Sequence, residues 1–332
     1  MNDNGSRRNA EILAVCLYCL PSSALGLQNN STVPLPILFL RSYTLSSTTT
    51  VGSTPEIGNI LGAHVDLRLK GKRALVTGSS AGIGAAIAQS LAHEGVSVVI
   101  HGRNPQRADR VARDIRSAGG VALVVLGDLT RDADARHIID KALTALGDID
   151  ILVNNAGSFR RRSWLASSSH EWLRTYDANV ISMVRIIRGV IPHMRLLGWG
   201  RIIQISSRAA SYPLPQMPDY AASKAAIVNL TVSLSKELAG TGISVNCVSP
   251  GIILTPRVER SLQGLAKRHR WGADLSTIEK RALEKWNYDY AKMRLGRVDD
   301  VANIVTFLSS PISDYINGAN IRVDGGGTGT VT

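Results

Sequence analysis

Short apolar runs alternate along most of this chain with longer stretches whose apolar residues recur at helical spacing. The runs Arg73 to Thr77, Ser97 to His101, Ala122 to Leu126, Ile151 to Asn154, Gly200 to Ser206, Ile243 to Val248 and Asn320 to Val323 read as buried strands. Between them, Ile83 to Glu94, Pro105 to Ala118, Ala133 to Leu146, His170 to Leu196 and Tyr220 to Leu238 carry the helical period. Strand followed by helix, repeated, requires right-handed crossovers between parallel strands and puts helices on both faces of the sheet. The predicted fold class is α/β, a single doubly wound parallel-sheet domain. One irregular insertion, residues 256–297, follows the sixth strand; it holds a polar helix pair with Trp271, Trp286, Tyr288 and Tyr290 and reads as a small helical lid.

The regular pattern begins near residue 67. Residues 1–66 are rich in Ser, Thr, Asn and Pro and read as an N-terminal extension ahead of a 67–332 domain. Within it Arg7 and Arg8 precede the apolar run Ile12 to Leu20, followed by Pro21-Ser22-Ser23-Ala24, an imitation of a secretory signal that Glu11 interrupts. A targeting segment, an overlong gene start and a disordered arm are the readings open for it. The 332 residues are 44% hydrophobic and 19% charged, which supplies a large core and excludes a disordered chain. The 3 cysteines, Cys16, Cys19 and Cys247, cannot form a disulfide framework. That usage fits a reducing compartment and a cytoplasmic location, with organellar or exported alternatives left open by the extension. Cys16 and Cys19 form a C-x-x-C without strand–helix context and read as passive. No apolar run is long enough to span a bilayer.

Net charge is +12, and residues 1–66 sum to −1, so the positive excess lies in the domain. Such a balance raises nucleic acid, anionic membranes and acidic substrates as partners. No basic run is interleaved with aromatics and no zinc-finger spacing occurs. The expected partner is therefore a small molecule, not nucleic acid or membrane, and no metal site is expected.

The first strand runs into Gly78-Ser79-Ser80-Ala81-Gly82-Ile83-Gly84 and then a helix. Glycines let a backbone turn tightly and approach a pyrophosphate, while the helix N-terminus offers unpaired N–H groups and partial positive charge. A dinucleotide belongs there. At the end of the second strand, where an acid would bind the ribose 2′-hydroxyl, stands His101-Gly102-Arg103-Asn104. With no carboxylate and a guanidinium suited to phosphate, NADP(H) is preferred over NAD(H), with Arg103 as its reader. Asp128 and Leu129, ending the third strand, are expected beside the adenine.

Tyr220 and Lys224 stand four residues apart and share one helix face. A phenol is a poor acid or base near neutrality, and an adjacent cation is expected to lower its pKa toward working range. Ser207 lies 13 residues before Tyr220 at the exit of the fifth strand, and Asn155-Ala156-Gly157 follow the fourth. These groups sit at the carboxyl ends of strands, where open α/β sheets bind ligands. Thr77-Gly78-x-x-x-Gly82-x-Gly84, Asn154-Asn155-Ala156-Gly157, Asn179, Ser207, Tyr220-x-x-x-Lys224 and Pro250-Gly251 together resemble the classical short-chain dehydrogenase/reductase family over residues 68–326.

The resemblance implies a Rossmann domain and an NAD(P)-dependent oxidoreductase acting on CH–OH groups. It implies that Tyr220 exchanges the substrate proton, Ser207 holds the carbonyl or alcohol oxygen, and Lys224 binds the nicotinamide ribose while lowering the Tyr220 pKa. Asn179 would join a proton relay through water. Thr77, Gly78, Ser80, Gly82, Ile83 and Gly84 would form the pyrophosphate turn, supported by Asn155, Ala156 and Gly157. Pro250, Gly251 and Ile253 would line the nicotinamide face, and Thr255 would meet the carboxamide side or the pyrophosphate. Ser206, beside Ser207, is expected in a supporting place. Family members usually form homotetramers; the apolar faces Ile181, Val184, Ile187 and Ile227, Leu230, Leu234 fit either such contacts or the chain's own core.

Residues 256–297 carry 11 Lys or Arg against 5 Asp or Glu, and Arg160-Arg161-Arg162 follow the Asn155 loop, so an anion could be steered to the cleft. A 3-oxoacyl thioester, free or carrier-bound, or another anionic ketone is the expected substrate, and 3-oxoacyl-[acyl-carrier-protein] reductases are among the members that this chain resembles. A polyol, sugar or secondary alcohol dehydrogenase and a non-catalytic dinucleotide-binding scaffold are the alternatives.

Overall fold

A computed structural model describes residues 65–286, 292 and 294–329. The elements are β1 (Arg73–Val76), α1 (Gly82–His93), β2 (Ser97–Gly102), α2 (Pro105–Ser117), β3 (Ala122–Leu126), α3 (Asp132–Leu146), β4 (Ile151–Asn154), α4 (Ser169–Tyr176) and α5 (Ser182–Leu197). They continue with β5 (Gly200–Ile205), α6 (Pro218–Glu237), β6 (Ile243–Pro250), α7 (Pro256–His269), α8 (Leu275–Lys285), α9 (Val298–Ser309) and β7 (Asn320–Val323). The strands form one sheet in the order β3-β2-β1-β4-β5-β6-β7, parallel throughout. The chain winds outward from β1 to β3, returns to β4 beside β1, and winds out again to β7. Between β1 and β4 the connections leave in opposite directions and open a crevice at the carboxyl ends of the strands.

Both faces of the sheet are covered, which is why its strands lack polar alternation. Ala74, Val76, Val98 and Ile100 pack with Ile87 and Leu91 of α1 and Val305 and Leu308 of α9. The opposite side chains, Leu75, Val99 and Leu152, pack with Ile138 of α3, Ile186 and Met194 of α5, and Ile227 of α6. Ile187 and Ile227 are buried in this core, with Leu230 and Leu234 partly buried against it, whereas Ile181 is exposed. Among the described residues no helix is long and apolar enough to cross a membrane.

The predicted elements recur with ends shifted by at most two residues, save one. The single helix expected from His170 to Leu196 is broken into α4, a π-helical turn over Asp177–Ile181, and α5. The helix α9 was absent from the expected set. Residues 256–297 contain α7 and α8, whose Leu262, Ala266, Ile278, Ala282 and Leu283 form a small apolar cluster of their own, with Trp271 and Trp286 partly buried against it. Tyr288 and Tyr290, and the extension with Cys16 and Cys19, lie outside the described residues.

The floor of the sheet is pinned by Arg201, 1% exposed at the start of β5. Its guanidinium donates to Gly200 O at 2.9 Å, Gly242 O at 3.3 Å, Ser310 O at 3.4 Å and Asp314 Oδ1 at 2.8 Å, and it lies 4.4 Å from the Trp199 ring centroid. One buried cation thereby joins the α5–β5, α6–β6 and α9–β7 connections, far from the crevice. Arg201→Met is expected to lower the stability of the fold by about 2 kcal/mol, read as a lower urea midpoint at unchanged slope. Dinucleotide affinity should stay within about twofold of the unaltered chain, because the lost contacts amount to local anchoring.

Candidate active site

At the crevice the backbone of the turn after β1 is packed against the end of β4. Gly78 and Gly82 adopt φ of +65° and +59°, which favours glycine. A Cβ on Gly78 would lie 2.9 Å from Ala156 Cα, and one on Gly84 would lie 2.5 Å from Gly78 O, so the close approach also excludes side chains. Thr77 and Asn155 hold the two loops together. The amides of Asn155 and Ala156 donate to Thr77 Oγ1 at 3.0 and 3.1 Å, and Asn155 Nδ2 donates to Thr77 O and Gly78 O at 3.0 Å each.

This turn leads into the N-terminus of α1, which has Ala81 at its cap with no side-chain hydrogen bond and no acid in its first turn. Its leading N–H groups and positive dipole end therefore face the crevice without an internal anion, as a pyrophosphate requires. Thr255, which caps α7 by accepting from Val258 N, brings its Cγ2 within 3.3 Å of where a Gly82 Cβ would stand. α7 thus starts beside the glycine turn. Ser80 packs on Gly102 so tightly that a Cβ there would meet its Oγ at 2.7 Å.

At the other end, Arg103 Nη1 meets Asp128 Oδ2 at 3.3 Å in the open, and no acid stands at the end of β2. Burial raises the Asp128 pKa, but hydrogen bonds from Thr130 and the Arg103 charge outweigh it and leave the carboxyl below its ordinary value. Arg103 and Asp128 line a common cavity of about 230 Å³ with Thr130 and Arg160. Leu129 does not join them: its side chain is buried in the core beneath.

Ser207, Tyr220 and Lys224 meet in a 160 Å³ cleft whose walls include Ile83, Asn155, Gly157, Pro250 and Gly251. Ser206 turns the other way and donates to Lys224 O at 2.8 Å, tying β5 to α6. Ser207 Oγ caps the turn that follows, accepting from Ala209 N at 3.1 Å. Lys224 Nζ donates to Ile205 O at 2.9 Å and lies 5.7 Å from the Tyr220 ring centroid. Asn179 is fully buried in the π-helical turn; its Oδ1 accepts from Ser158 N at 2.8 Å, and its Nδ2 donates to Ser158 O at 3.0 Å and Ser223 Oγ at 2.9 Å. A Cβ on Gly157 would lie 3.0 Å from Asn179 Oδ1 and 3.6 Å from Lys224 Nζ, so these two groups flank that glycine.

The expected lowering of the Tyr220 pKa by Lys224 is not met in this geometry. Burial pushes the phenol up, and the Ser207 hydroxyl is what draws it back. Burial likewise pushes the Lys224 ammonium down to about 8, leaving it mostly charged at neutral pH but directed at a carbonyl.

A larger cavity of about 600 Å³ opens from Ser207 and Tyr220 toward the lid, with Ile253 and Thr255 in its wall. Among the described residues four arginines line it, Arg161, Arg208, Arg257 and Arg268, and no carboxylate does. Arg257 stacks on Phe159 at 4.3 Å, and Phe159 packs on Tyr220 with centroids 5.5 Å apart. Arg162 departs from the expected run of steering cations: it is spent on Glu171 at 2.8 Å and the buried Asp219 at 3.1 Å, where Thr175 also donates. Sequence reading missed that buried pair, together with Phe159, Arg208 and Ser223, because each acts through a partner distant in the chain.

The short-chain dehydrogenase model matches residues 72–265. The chain is 34% identical over 262 residues to the 7α-hydroxysteroid dehydrogenase of Escherichia coli (strain K12), covering 79% of this chain and 96% of that one. It is 30% identical over 260 residues to a 3-oxoacyl-[acyl-carrier-protein] reductase of Thermotoga maritima, covering 78% and 99%. Among solved structures, the L-sorbose reductase of Gluconobacter frateurii, crystallised with NADPH and L-sorbose, superposes with a TM-score of 0.76 at 32% identity over 80% of this chain and all of that one. With the glycine turn, the Ser207, Tyr220 and Lys224 cleft and the switch-point crevice already in place, the chain belongs to the short-chain dehydrogenase family and is one of its NAD(P)-dependent oxidoreductases.

Proposed function

We propose that the protein uses NADPH to reduce a ketone that carries negative charge, a 3-oxoacyl thioester or a related oxo acid. The observation that carries this reading is the cavity beside Ser207 and Tyr220, whose lining among the described residues holds four guanidinium groups and no carboxylate. In a cleft with low-dielectric walls, a cluster of cations focuses attraction on an anion. Leu214, Met217, Leu265 and Trp286 supply an apolar wall for the body of the molecule. Similarity to a 3-oxoacyl-[acyl-carrier-protein] reductase and to a hydroxysteroid dehydrogenase supports a ketone or alcohol substrate. The likeness to L-sorbose reductase favours a second reading, reduction of a sugar ketone.

The pyrophosphate turn and the α1 N-terminus would hold the dinucleotide, Arg103 its 2′-phosphate, Asp128 the adenine edge, and Pro250, Gly251 and Ile253 its nicotinamide. When bound, that group supplies the hydride. Ser207 Oγ would donate to the substrate oxygen and fix the carbonyl beside Tyr220, whose phenol releases its proton to that oxygen as negative charge develops. The Ser207 hydroxyl, as a hydrogen-bond donor, favours the ionised phenol and so opposes the rise in pKa that burial causes. Lys224, buried and charged, would bind the nicotinamide ribose and return the proton through Asn179 and water. Assembly is proposed to be homotetrameric, with light scattering on a size-exclusion column as its check.

Tyr220→Phe is expected to lower kcat about 10³-fold while NADPH affinity, followed by fluorescence, changes little, because only the proton donor is removed. Arg103→Asp should weaken NADPH about 10-fold or more and narrow or reverse the preference over NADH, measured as a ratio of dissociation constants. For the substrate, NADPH oxidation should be faster with an acetoacetyl thioester or an oxo acid than with the corresponding neutral ester or with L-sorbose. Preference for the neutral ketone would contradict the charged-substrate reading, and preference for L-sorbose would establish the sugar reading.

A further inference from the structure

His101 is the buried histidine among the described residues, and nothing in the chemistry above uses it. It is the penultimate residue of β2, between the turn after β1 and the Asp128 loop. The Gly78 amide donates to its Nδ1 at 3.0 Å. A backbone N–H can only donate, so Nδ1 is bare and the ring proton sits on Nε2, which faces Gly127 O at 3.3 Å. Geometry therefore fixes one neutral tautomer, joining the turn after β1 to the exit of β3.

The main chain of His101 is bonded into the same turn. Ser79 N donates to His101 O at 2.9 Å, His101 N donates to Ser79 Oγ at 2.9 Å, and Ser79 Oγ donates to Val76 O at 2.7 Å. On the opposite side, Gly78 O accepts from Asn155 Nδ2 at 3.0 Å. The Gly78 residue is thus held through its N–H from β2 and through its carbonyl from β4. A protonated ring would oppose its own Nδ1–H to the Gly78 N–H. Burial, aided by the Arg103 charge and opposed by Gly127 O and Asp128, pushes the His101 pKa down to about 4 and keeps the ring neutral. Arg103 and Asp128 are the charged groups acting on it, from the loop after β2 and the exit of β3; the glycine turn contributes none.

We propose that His101 is a positioning residue for the dinucleotide: its Nε2–H tautomer ties the Gly78 amide to the Gly127 carbonyl, so the pyrophosphate end and the adenosine end of the site keep one spacing. The inference rests on the dinucleotide reading above. It places no part of the ring on the dinucleotide itself, and its effect is on affinity.

The test uses the full chain with His101→Leu, His101→Asn and His101→Gln. Leucine removes both bonds. An Asn amide can replace Nδ1 toward Gly78, and a Gln amide can replace Nε2 toward Gly127. NADPH dissociation constants, the urea midpoint of the protein without dinucleotide, and kcat at saturating NADPH are measured for each. His101→Leu should weaken NADPH about 10-fold. His101→Asn and His101→Gln should recover part of that loss, with kcat unchanged within about twofold throughout. Affinity within twofold of the unaltered chain in His101→Leu would overturn the proposal. So would losses of affinity that follow the urea midpoints instead of the restored bonds, since a merely structural histidine would give that pattern. Should His101→Leu fail to fold, the other two decide: each keeps one bond, and wild-type affinity in both overturns the role. Failure of the unaltered chain to bind NADPH would overturn the dinucleotide reading instead, before any variant is compared.

Discussion

The site depends on how closely two loops at the switch point can approach. Asn155 donates to Thr77 twice, backbone N–H to the Thr77 hydroxyl and side-chain amide to the Thr77 carbonyl, and Ala156 N donates to the same hydroxyl; these bonds draw the turn after β1 onto the end of β4. Only glycine fits between them at Gly78 and Gly84. That clasp sets the direction in which α1 leaves the sheet, and hence where its uncapped N-terminus points. It also fixes Ala156 and Gly157, and Gly157 is flanked by Asn179 and Lys224. The glycine turn and the groups around Gly157 are therefore positioned by one set of short bonds, with the parallel register of β1 and β4 beneath them.

The second constraint is the burial of polar groups behind the cleft. Asn179 could not face Ser158 and Ser223 from a regular helix running the length of α4 and α5; the π-helical turn inserts the extra residue that re-aims it. Asp219, buried at the start of α6, is stabilised as a carboxylate by Arg162 and Thr175, although burial alone would raise its pKa. This pair anchors the loop after β4 to the helix that carries Tyr220 and Lys224. Cation–π contact between Arg257 and Phe159 then joins the same loop to the lid. The walls of the cavity beside Tyr220 are thus coupled through contacts behind its surface.

Much of this was legible in the sequence for a physical reason. Strands buried on both faces give uninterrupted apolar runs, and the glycine turn and the Tyr220 and Lys224 pair act through neighbours close in the chain. What escaped depends on distant partners. Asn179 is named as a site residue by resemblance, but the π-helical turn that carries it leaves no local composition signal, so the stretch reads as one continuous helix. Arg162 reads as one of three like cations, and only the fold brings Asp219 to it across 57 residues. His101 reads as a missing acid, because its Nδ1 partner lies 23 residues back, in another strand's turn. The Tyr220 pKa is the same lesson in energetic form: sequence gives the neighbouring cation, whereas burial, which opposes it, belongs to the folded chain.

Charge distribution completes the picture. Arg103 stands where the adenosine ribose would end, without a competing acid on β2, and four arginines face the cavity beyond Tyr220. Both features are the basis on which NADPH and a charged ketone are proposed. The most direct measurement is calorimetric titration of the full chain with NADPH and with NADH under identical salt. The account predicts one NADPH per chain, bound about 10-fold or more tightly than NADH. Equal affinities, or tighter NADH, would contradict it.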